Sequence, residues 1–117
     1  KNINLLQTVK GYQGIAILTP KGKLIAADVR DDLIDFDKFS ADFAAVFDLG
    51  NKAASKHNFE CCTSINMLTP NGLLILMKSD EYEHGSYCFM VLMAPDGNGF
   101  FMQIQLAKLI PQILNFS

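Results

Sequence analysis

Apolar residues along this chain recur in two rhythms, and the places where one gives way to the other mark the elements. Ile3, Leu5, Leu6 and Val9 fall on one side of a short helix that Gly11, a usual helix-ending residue, closes. Residues 13–19 and 24–29 then read as strands joined by Thr19-Pro20-Lys21-Gly22. Proline presets the backbone of the second turn position, and Gly22 supplies a left-handed residue that closes a hairpin with a bulge. Thr69-Pro70-Asn71-Gly72 is expected to do the same between residues 61–68 and 73–79, with Gly72 in the role of Gly22. A third relative of this turn, Ala94-Pro95-Asp96-Gly97, is followed by FFMQIQLAKLI, which has helical periodicity rather than alternation. Because the flanks of the turns differ, the repeated Leu-Thr-Pro-x-Gly reads as one good turn reached twice, not as a duplicated unit.

The longest periodic segment runs from Phe36 to about His57. Phe36, Phe39, Phe43, Phe47, Gly50 and Ala54 recur at spacings of three and four and make one stripe of a helix. Asp35 is placed to cap its start, and Asp37 adds negative charge near the positive end of the helix dipole. On the other side Ala41, Ala44, Ala45 and Leu49 form a second, small-residue face amid Asp42, Asp48 and Lys52. Two apolar faces predict two packing partners. Alanine is also simply the best helix former, a reading that needs no second partner.

The strands differ in how completely they are apolar, and the difference orders them. Residues 73–77, LLILM, and 87–94, YCFMVLMA, show no alternation, and neither does GIAIL in the first strand, so both of their faces must be covered. These are expected to be central. Residues 61–68 alternate, with Ile65 and Met67 on one face and Ser64 and Asn66 on the other, as an edge strand does. The prediction is a single α+β domain over residues 1–117, one five-stranded antiparallel sheet with helices on both faces. Its element order is helix, two strands, helix, three strands, helix. Pro111 is expected to kink or end the last helix early.

Composition narrows the class. With 117 residues, half of them hydrophobic and 19% charged, the chain is long enough for one real core and too apolar for disorder. A formal net charge of -2 gives no reason to expect nucleic acid or an anionic membrane as partner. No apolar run reaches the roughly 18 to 20 residues that span a bilayer, and no charged segment precedes a hydrophobic one at the start. A soluble, cytoplasmic protein is expected. The chain begins at Lys1 without an initiator methionine, as a trimmed chain or a piece of a longer one does. Cys61, Cys62 and Cys88 are odd in number and lack CxxC spacing, which fits neither a disulfide framework nor a zinc site, so they read as reduced core hydrophobes.

Candidate chemistry does not assemble. Gly97-x-Gly99 follows a strand and opens a helix as a dinucleotide fingerprint does, but Met102 stands at the third glycine position and no parallel βαβ unit surrounds it. No P-loop motif is present. Asp80, Glu81, Glu83 and His84 crowd one loop without the spacing of a cation site, and a solvated loop is the better reading. His57 near the end of the long helix suits the dipole there better than it suits catalysis. No nucleophile turn is legible. The chain is therefore expected to be no enzyme, with no cofactor and no metal. A second class stays open: Phe89, Met90, Met93, Phe100, Phe101 and Met102 would line an apolar pocket in a profilin-like small-molecule-binding sensory domain, if they are not simply core.

GYQGIAILTPKGKLIA, DFDKFSADFAAVFDLGNKAA and APDGNGFFMQIQLAKLI, in that order, resemble the roadblock family, the small domains related to the dynein light chain roadblock and to bacterial gliding-motility regulators. The shared features are the Gly11-x-x-Gly14 start of the first strand, the hairpin glycine Gly22 and the small-residue junction Gly97-Asn98-Gly99 before the last helix. The resemblance implies a profilin-like or longin-like sheet in strand order 2-1-5-4-3. It also implies a homodimer formed through the second helix and the edge of the third strand, and a small Ras-like GTPase or adaptor protein as partner. No catalytic residue comes with it. In this chain such an interface takes Ala41, Ala44, Ala45 and Leu49 from the helix and Cys62, Ser64 and Asn66 from the strand, which is expected to pair antiparallel with its mate across a two-fold axis.

Overall fold

The computed structural model describes residues 3–30, 34–81 and 85–114. The elements run α1 (Ile3–Gln7), β1 (Tyr12–Leu18), β2 (Leu24–Val29), α2 (Phe36–Lys56), β3 (Ser64–Thr69), β4 (Gly72–Lys78), β5 (Cys88–Met93) and α3 (Gly99–Leu114). All strand pairings are antiparallel, and the sheet order is β2-β1-β5-β4-β3. This is the α+β architecture and the order expected from the resemblance.

The strands that lack alternation are central, and pairing shows why. In β1, β5 and β4 the side chains of Ile15, Ile17, Phe89, Val91 and Ile75 join one core cluster under α1 and α3, with Leu6, Met102 and Leu106. Their neighbours Ala16, Leu18, Met90, Leu74 and Leu76 join a second cluster under α2, with Phe36 and Phe47. Each central strand thus feeds two cores, so its apolar run is unbroken apart from Gln13 near the start of β1 and Lys78 at the end of β4.

Asp35 caps α2 as predicted: its carboxylate accepts from the Asp37 backbone N–H at 3.0 Å. The helix ends at His57, whose backbone N–H donates to the Ala53 carbonyl. The first helix is shorter than its apolar pattern, because both the amide and the hydroxyl of Thr8 donate to the Leu5 carbonyl and turn the chain.

Three expectations are corrected. Gly22 does adopt a left-handed φ of 86°, but Gly72 does not: Thr69 pairs directly with Gly72 across a two-residue turn, so the second Thr-Pro-x-Gly is a tighter connection. Gly97 closes its turn on the Ala94 carbonyl at 3.0 Å, and it is glycine for room, since a Cβ there would stand 2.9 Å from the Lys10 carbonyl oxygen. Pro111 does not end the last helix, which continues to Leu114. Pro111 and Ala107 are both exposed, so the carbonyl that loses its partner faces water while Leu109, Ile110, Ile113 and Leu114 keep packing on the core.

Candidate interaction surface at the β3 edge

Strand β3 pairs with β4 from Ser64↔Met77 to Thr69↔Gly72, and among the described residues no strand pairs with its other side. It begins at Ser64 and not at residue 61, a correction with a local cause. Asn58 and Glu60 take left-handed φ values of 70° and 71°, and the Cys62 amide donates to the Asn51 side chain on α2 at 2.9 Å. The chain therefore doubles back beneath the end of α2 before it can join the sheet. Cys62 packs beside Ile65 under Gly50, where a Cβ on the glycine would stand 2.9 Å from the Ile65 Cδ1. That close approach seats α2 against β3.

Within β3 the predicted alternation holds. Ile65 and Met67 pack inward against the α2 core, while Asn66 turns to the opposite face and accepts a hydrogen bond from Gln103 of α3 at 2.8 Å. Leu68 shares the Asn66 face by alternation and is 70% exposed. Phe100 and Ile104 flank Gln103 on α3 and are also exposed. The start of α3 lies over this end of the strand pair, since a Cβ on Gly99 would stand 2.5 Å from Leu73, which pairs with Leu68. Leu68, Phe100 and Ile104 thus make an apolar border to the open edge. The sequence carried a signal for Leu68, a large apolar residue in a polar-face position.

On α2, Ala41, Ala45 and Leu49 stand four residues apart and form one exposed stripe, with Leu49 66% exposed. Ala44 is half-buried and packs on the core beneath the helix. Asp48 and Lys52 form an exposed ion pair at 3.1 Å beside the stripe, a contact that contributes at most about 1 kcal/mol. The predicted interface residues therefore fall into two groups. The α2 stripe lies on one face of the sheet, with Ala41 and Ala45 beside the β1–β2 turn, and Asn66 projects from the other face.

The other candidates do not come together as sites. Phe89, Met90, Met93 and Met102 are fully buried in the two cores, whereas Phe100 is 76% and Phe101 44% exposed, so these residues share no pocket lining. Cys88 is buried, and loss of hydration pushes its thiol up to about 11. Cys61 is exposed, which corrects the reading of all three cysteines as core. Asp80 and Glu81 are exposed, and Glu83 and His84 lie outside the described residues. Among the described residues no group of three or more His, Cys, Asp or Glu is placed to hold a metal. None of the described helices is long and apolar enough to cross a membrane.

A polar cluster that spacing gave no hint of ties α1 to the far edge. Asp28 of β2 accepts from the Tyr12 hydroxyl at 2.6 Å and from the Gln7 amide at 2.8 Å. Arg30 stacks over the Tyr12 ring and donates to the Gln7 carbonyl at 2.8 Å. The Tyr12 and Gln7 hydrogen bonds hold the Asp28 carboxyl below its ordinary value of 3.8.

No protein-family model matches the chain, and no curated protein matches it. Its structure, however, superposes on a Roadblock/LC7 domain from Streptomyces avermitilis with a TM-score of 0.80 at 16% identity, covering 97% of this chain and 91% of that one. The chain has the roadblock fold. Two Myxococcus xanthus proteins are similar to it. MglB has a TM-score of 0.80 at 9% identity over 98% of this chain and 80% of its own. MglC has a TM-score of 0.57 at 12% identity over 97% of each chain. At these identities the likeness lies in the roadblock fold itself, and the surface residues are this chain's own.

Proposed function

We propose that the protein is a non-catalytic homodimeric platform, assembled through the β3 edge and the Ala41–Ala45–Leu49 stripe, that receives a small Ras-like GTPase or an adaptor subunit. The observation that carries this reading is an open sheet edge at β3 that bears exposed Leu68, together with exposed Leu49 on α2. Unpaired edges are a liability that proteins cover or use. Small side chains at 41 and 45 let a second helix approach closely, and in a two-fold contact the same stripe meets itself. A structure solved for MglB has a tetrameric arrangement, so a protein of similar fold self-associates. MglB from Thermus thermophilus, also similar in fold, is a gliding protein.

The sensory-domain reading draws no support from the interior, where Phe89, Met90, Met93 and Met102 are core while Phe100 and Phe101 are exposed. The test is light scattering coupled to size exclusion over a range of concentrations. The platform reading expects a dimer mass that falls toward the monomer on dilution, and a chain that stays monomeric at every concentration overturns it.

A further inference from the structure

We propose that two copies of the chain interlock on the α3 face of the sheet, with Leu68 and Phe100 of each filling a notch beside Ser64, Ala107 and Pro111 of the other. The interlock rests on the β3-edge contact of the platform reading, and it fixes the register of that contact and what packs against it.

The register follows from which way the strand backbone points. The Thr63 carbonyl accepts from the Lys78 amide at 3.0 Å, so Thr63 is turned toward β4. In an antiparallel ladder that direction alternates, and Ser64, Asn66 and Leu68 therefore present their N–H and C=O groups to the open side. A mate related by a two-fold axis engages the same three residues. Centring the axis on Asn66 sets Asn66 against Asn66 and Ser64 against Leu68 twice, and uses all of them. The next register on one side sets Leu68 against Cys62, whose amide is already held by Asn51, and on the other it sets Ser64 against Pro70, which has no N–H. In the central register Leu68 of one subunit thus stands across from Ser64 of the other, with Cα atoms about 5.5 Å apart. Both side chains lie on the face where Asn66 accepts from Gln103 of α3.

The shape of α3 completes the contact. Phe100, Gln103, Ala107 and Pro111 recur at spacings of three and four along one side of the helix, and the Gln103 bond to Asn66 sets Gln103 level with the axis. Phe100 lies one turn before that level and Ala107 one turn after it. The two-fold rotation therefore brings the exposed Phe100 ring of one subunit level with the small Ala107 of the other. Ser64, Ala107, Ile110 and Pro111 border a notch of about 330 Å³ at this place, on the side from which Leu68 of the mate arrives. Each subunit carries both the large apolar residues and the space for them, the self-complementarity that a two-fold contact requires. A second copy is the occupant because the β3 register delivers Leu68 and Phe100 to the notch together.

The test mixes isotope-labelled with unlabelled full chain and records the nuclear Overhauser effects that pass between subunits. The interlock predicts such effects from the Leu68 methyls and from the Phe100 ring to the Ala107 methyl. Ala107→Phe changes an exposed position and fills the notch, so it is expected to raise the dimer dissociation constant by at least about tenfold with the thermal melt of the subunit little changed. Adding Phe100→Ala to the same chain makes room again and is expected to recover most of that loss. A dimer that lacks these effects between subunits, or that is as tight with Ala107→Phe as without it, overturns the interlock and leaves the platform reading standing. A chain that stays monomeric at every concentration overturns both.

Discussion

The two faces of α2 are built from different residues and carry different loads. Inward, Phe36 and Phe47 are buried, and Phe43 packs half-buried beside them on the core shared with β1, β4 and β5. Outward, Ala41, Ala45 and Leu49 meet solvent. A face of large aromatics fills a fixed volume, and removing one leaves a cavity that the surroundings close only in part. A face of alanines fills nothing within its own chain. Its side chains matter through what they fail to obstruct, which is the approach of another surface. If the proposed dimer forms through the outer stripe, this one helix separates folding from assembly.

The sharpest way to break that separation is from the inside. Phe47→Ala removes a side chain that is 2% exposed and is expected to cost about 3–5 kcal/mol, read as a lowered urea midpoint, enough to unfold many domains of this size. A loss under about 1 kcal/mol would mean that the inner face is not the one holding the fold. Smaller in effect is the cap. Asp35→Ala leaves the Asp37 amide without its acceptor and should lower stability by about 1 kcal/mol, seen as a lower Tm with the oligomeric state unchanged.

Smallest is the acid response of Asp28, which lies away from both α2 faces. Its carboxyl titrates below 3.8 in the folded chain, so its contribution is complete above that value and is lost as pH falls through the lower folded one. Asp28→Asn should flatten the loss of stability below pH 3.8 by well under about 1 kcal/mol, since the group is partly exposed. Acid unfolding curves that superpose for the two proteins would remove Asp28 from the account.

What the sequence made legible was what periodicity encodes. The unbroken apolar runs of β1, β4 and β5 announced strands covered on both faces, and the three-and-four spacing of the phenylalanines announced the inner side of α2. The strand order came through resemblance, because pairing between distant strands leaves no local mark. Less legible was anything fixed by two segments meeting. Gly22 and Gly72 sit in the same four-residue pattern, yet the length of the loop around each decides whether a left-handed residue is needed. The start of β3 was set by the Asn51 side chain, which holds the Cys62 amide eleven residues further on. The Gln7–Tyr12–Asp28 cluster and the placement of Lys78 over Phe47 likewise join side chains that no spacing rule connects. For the interface, the α2 stripe was visible as alanines out of place on a solvated face, while Leu68, Phe100 and Ile104 became a group only when α3 was laid beside β3.

The claim that the outer face of α2 assembles the protein is tested most directly by Ala45→Glu. The residue is exposed, so the change leaves the subunit core alone and places like charges opposite one another in a close two-fold contact. Sedimentation of the variant and the unaltered chain at matched concentrations, with a thermal melt of each, reads assembly and folding separately. The account predicts a dimer dissociation constant raised by about a hundredfold or more, with the melt of the isolated subunit unchanged. A variant that remains as tightly dimeric as the unaltered chain would contradict it and move the interface off this helix.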